Sequence, residues 1–249
     1  VFLTNDKPDG LNINKDCGST HLEQIQGFTT ETGADIGLAF DGDADRVLAV
    51  DETGNIVDGD KIVLICANDA KNRGLLRKNT VVATVMSNLG MFLAAKKLGI
   101  NIVRANVGDR YVLEEMIKNG YNIGGEQSGH IIFLDYNTTG DGLITAVTLA
   151  SVMKQSEKKL SELAKIMQKL PQVLVNVKVK AQYKNTYFND NDIKTEIEKI
   201  EKSLADKGRV LIRPSGTEPL IRVMIEGPDF DIINEKAKAL AKLIKRKTG

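Results

Sequence analysis

Asp41, Asp43 and Asp45 stand at every second position of AFDGDADRV, residues 39–47, between flanks, GLAF and VLAVD, that are apolar enough for a buried strand. Carboxylates about 4 Å apart repel by roughly 4 kcal/mol per pair at an effective dielectric of 20, so concentrating three of them calls for a cation. Oxygen-only ligands select a hard ion such as Mg²⁺ or Ca²⁺ over zinc. An EF-hand would also place acidic groups at this spacing, and Glu52 falls at its twelfth position. Its sixth position must be Gly, however, and here is Arg46, while the flanks are strand-like rather than helical. Three carboxylates suit Mg²⁺ completed by a phosphate oxygen better than Ca²⁺, which takes about six to eight oxygens. Arg46, beside the triad, is suited to the same phosphate. That chemistry is phosphoryl transfer; the competing reading is aspartates that cap a solvated turn.

Two further loops carry compatible chemistry. RPSGTEP, residues 213–219, offers the Arg213 guanidinium, two hydroxyls and the backbone N–H groups of Ser215, Gly216 and Thr217, a donor set for a phosphate dianion, with Arg222 as a second fork. The same residues also make an ordinary turn with no ligand. GEQSGH, residues 125–130, places the acceptor Glu126 and the hydroxyl of Ser128 where they suit sugar hydroxyls, between glycines that let a ligand approach the backbone. His130 reads either as structural or as a proton shuttle near a phosphate. His21, in CGSTH, reads as structural. Gly108-Asp109-Arg110 opens a helix, with Arg110 facing a phosphate or pairing with Asp109.

The elements that hold these loops follow from periodicity. VVATVM reads as a strand, Ser87 or Asn88 as the cap of a helix through MFLAAKKLG, NIVRANV as a strand and YVLEEMIKNG as a helix, the alternation of a wound α/β domain with parallel pairs. Residues 33–63 overlay on 120–147 as strand, polar loop, strand, turn and a Gly-Asp pair opening an apolar helix. Two copies of one supersecondary unit would then carry DGDADR and GEQSGH at the same structural place. Beyond Pro171 the order becomes β-α-β-β-α, with Ile193, Ile197, Ile200 and Leu204 on one helix face and Ile233, Ala237, Leu240, Ala241 and Ile244 on another. A boundary near residues 168–172 is expected.

Bulk properties exclude several classes. With 34 basic and 33 acidic residues in 249, the net charge is +1, which gives no global field toward nucleic acid or anionic lipid. Cys17 and Cys66 lack the spacing of a zinc site or a disulfide framework, so a reducing cytoplasm is expected. LITAVTLASVM, residues 143–153, falls short of the roughly 20 residues of a membrane helix and reads as a buried one. Export is not expected, since no basic stretch followed by an apolar one stands at the start of these residues. Val1 begins mid-strand without a methionine, which is how part of a longer protein looks.

The three loops, in this order, resemble those of the α-D-phosphohexomutase superfamily, and the match covers essentially the whole chain. GEQSGH with its Gln, VGDRYVLEEM, GHIIFLDYNTTGDG and LPQVLVNV look most like the bacterial branch that interconverts glucosamine 6-phosphate and glucosamine 1-phosphate for cell-wall precursor synthesis. The resemblance implies an α/β fold of repeated mixed-sheet domains followed by a smaller α+β C-terminal domain. Residues 1–57 would be the remnant of domain two with the metal loop, 58–169 domain three with the sugar loop, and 170–249 domain four with the phosphate loop. It implies that Asp41, Asp43 and Asp45 bind Mg²⁺, that Arg46 sits at a phosphoserine and His130 near the transferring phosphate, and that Glu126 and Ser128 grip sugar hydroxyls. Arg213, Ser215, Gly216, Thr217 and Arg222 would hold the phosphate that is not reacting. Arg46, His130 and Arg110 are the candidates for catalysis.

The implied enzyme is an intramolecular phosphotransferase whose phosphoserine passes its phosphoryl group to the sugar, giving a 1,6-bisphosphate that returns its other phosphate. The family's serine loop is absent from these 249 residues, so this chain alone is expected to be inactive. Its partners would be a hexosamine phosphate and the N-terminal domain of the same protein, with neither nucleic acid nor membrane. A phosphomannomutase or phosphoglucomutase, and a non-catalytic sugar-phosphate-binding module, are the alternatives.

Overall fold

Along the chain the apolar pattern switches between a period of two and one of about 3.6, and the structure, a computed structural model describing residues 1–215 and 218–249, resolves that pattern into two units. They are Val1–Gln168 and Lys169–Gly249.

In the first unit, α1 (Glu23–Thr32) leads into the hairpin β1 (Ile36–Phe40) and β2 (Val47–Asp51), with the short β3 (Ile56–Val57) on the outer edge of β2. Then come α2 (Gly59–Asn72), β4 (Thr80–Thr84), α3 (Leu89–Leu98), β5 (Asn101–Ala105), α4 (Asp109–Asn119), β6 (Ile123–Gly125), β7 (Ile131–Phe133), α5 (Gly142–Ser156) and the short α6 (Leu160–Leu163). The second sheet runs β5-β4-β6-β7, parallel except for β7. β4, an inner strand, is buried along its whole length because both of its faces are covered. Val81 and Ala83 of β4 pack with α2, α3 and α5, whereas Val82 packs with Val112 and Met116 of α4. Asn88 caps α3, its side chain accepting the Gly90 N–H at 3.0 Å, a contact worth about 1 kcal/mol.

The internal repeat is visible as two hairpins, β1–β2 and β6–β7, each preceded by a helix that ends on a left-handed glycine, Gly33 or Gly120. Each is followed by a helix that begins on a capping aspartate. Asp58 accepts the Lys61 N–H and Asp141 the Ile144 N–H. This pairs Asp58-Gly59 with Asp141-Gly142, two residues away from the Gly-Asp match that sequence suggests, because the cap and not the neighbouring acidic residue fixes where each helix starts. The expectation of a buried helix over 143–153 is also corrected. Helix α5 buries Thr145, Ala146, Leu149 and Val152, but Leu143 and Val147 are 61% and 70% exposed.

The second unit is an antiparallel sheet, β8 (Gln172–Lys178), β10 (Leu220–Glu226) and β9 (Arg209–Pro214), in that spatial order. Helices α7 (Asn191–Leu204) and α8 (Phe230–Thr248) cover one face. Their stripes Ile193, Ile200, Leu204 and Ile233, Ala237, Leu240, Ile244 meet Val173, Val177, Ile221, Val223 and Ile225. No helix among the described residues is long and apolar enough to cross a membrane.

Candidate functional site

The loop between β1 and β2 holds the three aspartates with ligand oxygens within 4.8 Å of one another. A tight turn makes this possible: Ala44 N–H donates to the Asp41 carbonyl at 3.2 Å, and Ala44 takes a left-handed φ of 57° that a side chain normally avoids. The Arg46 backbone N–H donates to Asp41 Oδ1 at 3.1 Å, and its Nε lies 3.6 Å from Asp41 Oδ2 and 3.7 Å from Asp45 Oδ1. One arginine against three carboxylates leaves the loop electrically unbalanced. Partial burial and the neighbouring Asp41 raise the Asp45 carboxyl above its ordinary range, against the pull of His130. Asp45 Oδ1 is buried and accepts no hydrogen bond among the described residues. An orphaned carboxylate oxygen inside a cluster of carboxylates fits a hard divalent cation. Glu52 takes no part: its carboxylate accepts the Ser161 N–H and hydroxyl, which removes the last support for an EF-hand.

The second loop, between β6 and β7, lies against the first, with Arg46 and His130 forming an antiparallel bridge and the Val47 N–H donating to the Gly129 carbonyl at 3.2 Å. His130 is 3% exposed. Gly140 N–H donates to its Nε2 at 3.1 Å, so Nδ1 carries the proton and donates it to Asp45 Oδ2 at 2.9 Å. Both ring nitrogens are thereby engaged. In this arrangement the imidazole adjoins the acidic loop and holds Asp45 through its Nδ1–H.

Glu126 is half-buried and its Oε1 accepts the Gly108 N–H at 3.1 Å, tying the GDR turn to this loop, while Ser128 is exposed. Arg110 lies on that turn but is corrected as to partner: its side chain pairs with Glu114 at 2.7 Å rather than with Asp109, which takes only the Arg110 backbone N–H. The glycines of GEQSGH also serve a different purpose from the expected ligand approach. A Cβ on Gly129, which has φ 93°, would overlap the Val47 carbonyl, and one on Gly125 would lie 2.9 Å from the His130 carbonyl. The space beside them is filled by protein backbone.

The helices that follow the hairpins cross over to support one another's loops. Gly59 opens α2 and donates its N–H to Gln127 of the second loop at 3.1 Å; Gly142 opens α5 and donates to Ala44 of the first at 2.9 Å. A Cβ on Gly59 would overlap the Glu126 carbonyl, and one on Gly142 would lie 2.8 Å from the carbonyls of both Ala44 and Arg46. Sequence reasoning passed over both glycines, although the recurring Asp-Gly pair at the start of the two repeat helices was the available signal.

In the second unit, Arg213 of β9 and Arg222 of β10 are directly opposite in register. Like charges across a strand pair are destabilising without an anion. Burial, and then the charge of Arg222, lower the Arg213 guanidinium below its ordinary range. Arg222 Nε is buried with no acceptor among the described residues. Ser215 is buried and its Oγ accepts the Glu218 N–H at 3.4 Å. Gly216 and Thr217, the remaining members of the expected phosphate loop, lie outside the described residues.

Comparison with known proteins places the chain in a family. Residues 58–170 match the family described as "Phosphoglucomutase/phosphomannomutase, alpha/beta/alpha domain III", and residues 174–243 match its C-terminal domain. The phosphoglucosamine mutase of Thermoanaerobacter sp. (strain X514) is 64% identical over 247 residues, 99% of this chain and 55% of that protein. That of Clostridium tetani is 61% identical over 248 residues, again 55% of its length. This chain therefore spans about half the length of the curated relatives it matches. The crystal structure of Aspergillus fumigatus N-acetylphosphoglucosamine mutase in complex with GlcNAc-6P and magnesium superimposes with a TM-score of 0.75 at 21% identity, covering 95% of this chain and 54% of the other. A phosphoglucomutase/phosphomannomutase family protein from Burkholderia thailandensis gives 0.72 at 20%, covering 93% and 51%. At such identities the two structures speak for the fold, and the sequence matches for the family. With two matched domains and close sequence relatives along essentially its full extent, the chain belongs to the phosphoglucomutase/phosphomannomutase family, the α-D-phosphohexomutases, and is similar to its bacterial phosphoglucosamine mutases.

Proposed function

We propose that the protein of which this chain forms about half is a phosphoglucosamine mutase, an isomerase that interconverts glucosamine 6-phosphate and glucosamine 1-phosphate in the cytoplasm. The observation that carries the reading is the acidic loop: three carboxylates within 4.8 Å, one oxygen orphaned, bridged by backbone to the Glu126–Ser128 loop. In this reading residues 1–57 complete a second domain, 58–169 form the third and 170–249 the fourth.

Asp41, Asp43 and Asp45 would hold Mg²⁺, which when bound supplies charge neutralisation on a transferring phosphoryl group. Asp45 is held for this by the Nδ1–H of His130. Arg46, 45% exposed at its side chain, offers its outer guanidinium nitrogens to the same phosphoryl oxygens. Glu126 and Ser128 accept from and donate to sugar hydroxyls, and Arg110, on the turn joined to Glu126, is a candidate for the phosphate. Arg213 and Arg222, which repel each other across the strand pair, bind the phosphate that is not transferred, together with Ser215, Gly216 and Thr217. The phosphoserine belongs to the part of the protein outside these 249 residues, so the chain alone binds ligand without turnover.

The test is turnover of glucosamine, glucose and mannose 6-phosphates by the complete gene product in Mg²⁺. A preference for the glucosamine ester is expected. Preference for glucose or mannose phosphate would move the protein to another branch of the family, and no turnover of any would leave only a binding module.

A further inference from the structure

Asp60, the second residue of α2, is 1% exposed, and burying a carboxylate costs several kcal/mol unless strong hydrogen bonds offset it. Its Oδ2 accepts the Asn88 backbone N–H at 2.7 Å and the Gln127 side-chain amide at 3.3 Å. Gln127 lies between Glu126 and Ser128. The backbone of that loop is already seated by the Gly59 N–H on the Gln127 carbonyl, and Glu126 is fixed separately by Gly108. The other repeat shows that such seating needs no carboxylate. With Gly59 matched to Gly142, the position of Asp60 is filled by Leu143, yet Gly142 seats the acidic loop through the same kind of bond. The Asp60 carboxylate, which also accepts from Asn88 at the start of α3, therefore has no counterpart in the other repeat, and what it grips in the second loop is the Gln127 side chain.

We infer that Asp60 is a positioning residue for substrate recognition: by drawing the Gln127 amide down onto the start of α2, it fixes the orientation in which the adjoining Ser128 is presented to a hexose phosphate. This rests on the reading of residues 126–130 as the sugar loop. Its consequence is a selective one, because Asp60 touches the sugar loop and not the aspartates that would hold the metal.

Steady-state kinetics of the complete gene product on glucosamine 6-phosphate test it. Asp60→Ala is expected to raise KM about tenfold, with a much smaller change in kcat and an unchanged Mg²⁺ concentration dependence. Asp60→Asn, whose carboxamide oxygen can take the place of Oδ2, is expected to restore most of the loss. Gln127→Met leaves the bond to Asn88 intact and is expected to raise KM as Asp60→Ala does, which keeps the inference testable if the alanine variant fails to fold. An unchanged KM in Gln127→Met, or a folded Asp60→Ala with wild-type KM, overturns it. Ser128→Ala separates the two levels: if it leaves KM unchanged, the sugar-loop reading itself fails and the inference falls with it. If Ser128→Ala weakens binding while the Asp60 and Gln127 variants do not, only the inference fails.

Discussion

The loops at 41–46 and 126–130 occupy the same place in two similar hairpins, yet one is electrically frustrated and the other internally satisfied. In the second, Glu126 accepts from Gly108, Gln127 gives its amide to Asp60 and His130 has both nitrogens engaged. In the first, three carboxylates face one arginine, Asp45 holds its proton more tightly than an ordinary aspartate, a carboxylate oxygen is orphaned and Ala44 sits in a strained conformation. The fold is therefore not what makes the first loop uncomfortable, since the same scaffold builds a relaxed loop elsewhere. The difference lies in its charge arrangement, and imbalance of that kind is a mark of functional sites.

The sharpest way to break the symmetry is at the two glycines. Gly59→Ala is expected to cost roughly 3 kcal/mol in urea unfolding, and more than Gly142→Ala, because its methyl overlaps a backbone carbonyl outright. If the two variants cost the same, the helix starts do not support their loops as described. His130→Leu comes next. It removes the donor that orients Asp45 and is expected to weaken Mg²⁺ binding about 10- to 100-fold by calorimetry. An unchanged affinity would show that the imidazole is merely structural.

Acid titration separates the two kinds of carboxylate. Because the folded Asp45 binds its proton more readily than the unfolded chain does, its contribution to stability without metal grows as the pH falls through its raised pKa toward the ordinary 3.8. Mg²⁺ needs the carboxylate, so its affinity falls over that same window. Asp51 has the opposite sign. Burial pushes it up, but hydrogen bonds from Thr53 and Asn55 bring it below 3.8, so its contribution is present above that value and is lost as the pH falls through the lowered one. Carbonyl-region NMR titration of the two residues checks both directions. The smallest effect is expected of Ala44→Gly, a gain of about 1 kcal/mol in thermal unfolding from relief of the left-handed φ.

How far the sequence discloses these features depends on their range. The alternation of strands and helices, the cap at Asn88 and the buried stripes of α7 and α8 are local, and periodicity reveals them. The aspartate triad is legible because its three members fall within five residues. What lies hidden is contact between distant segments: that the helix after each hairpin supports the other hairpin's loop, that His130 faces Asp45, and that Arg110 turns back onto Glu114. The exposed Leu143 and Val147 show the same limit, since an apolar run does not reveal which of its faces a neighbour covers.

The claim on which all this depends is that the acidic loop is a cation cradle, and thermal unfolding of this chain with and without Mg²⁺ at neutral pH tests it directly. Mg²⁺ at about 100 times its dissociation constant should stabilise the wild-type chain by about 2.7 kcal/mol. Asp43→Asn should melt slightly above wild type in metal-free buffer, since one repulsive charge is gone, and gain far less from the ion. Indifference of the wild-type chain to Mg²⁺, or an equal gain in the variant, would contradict the account.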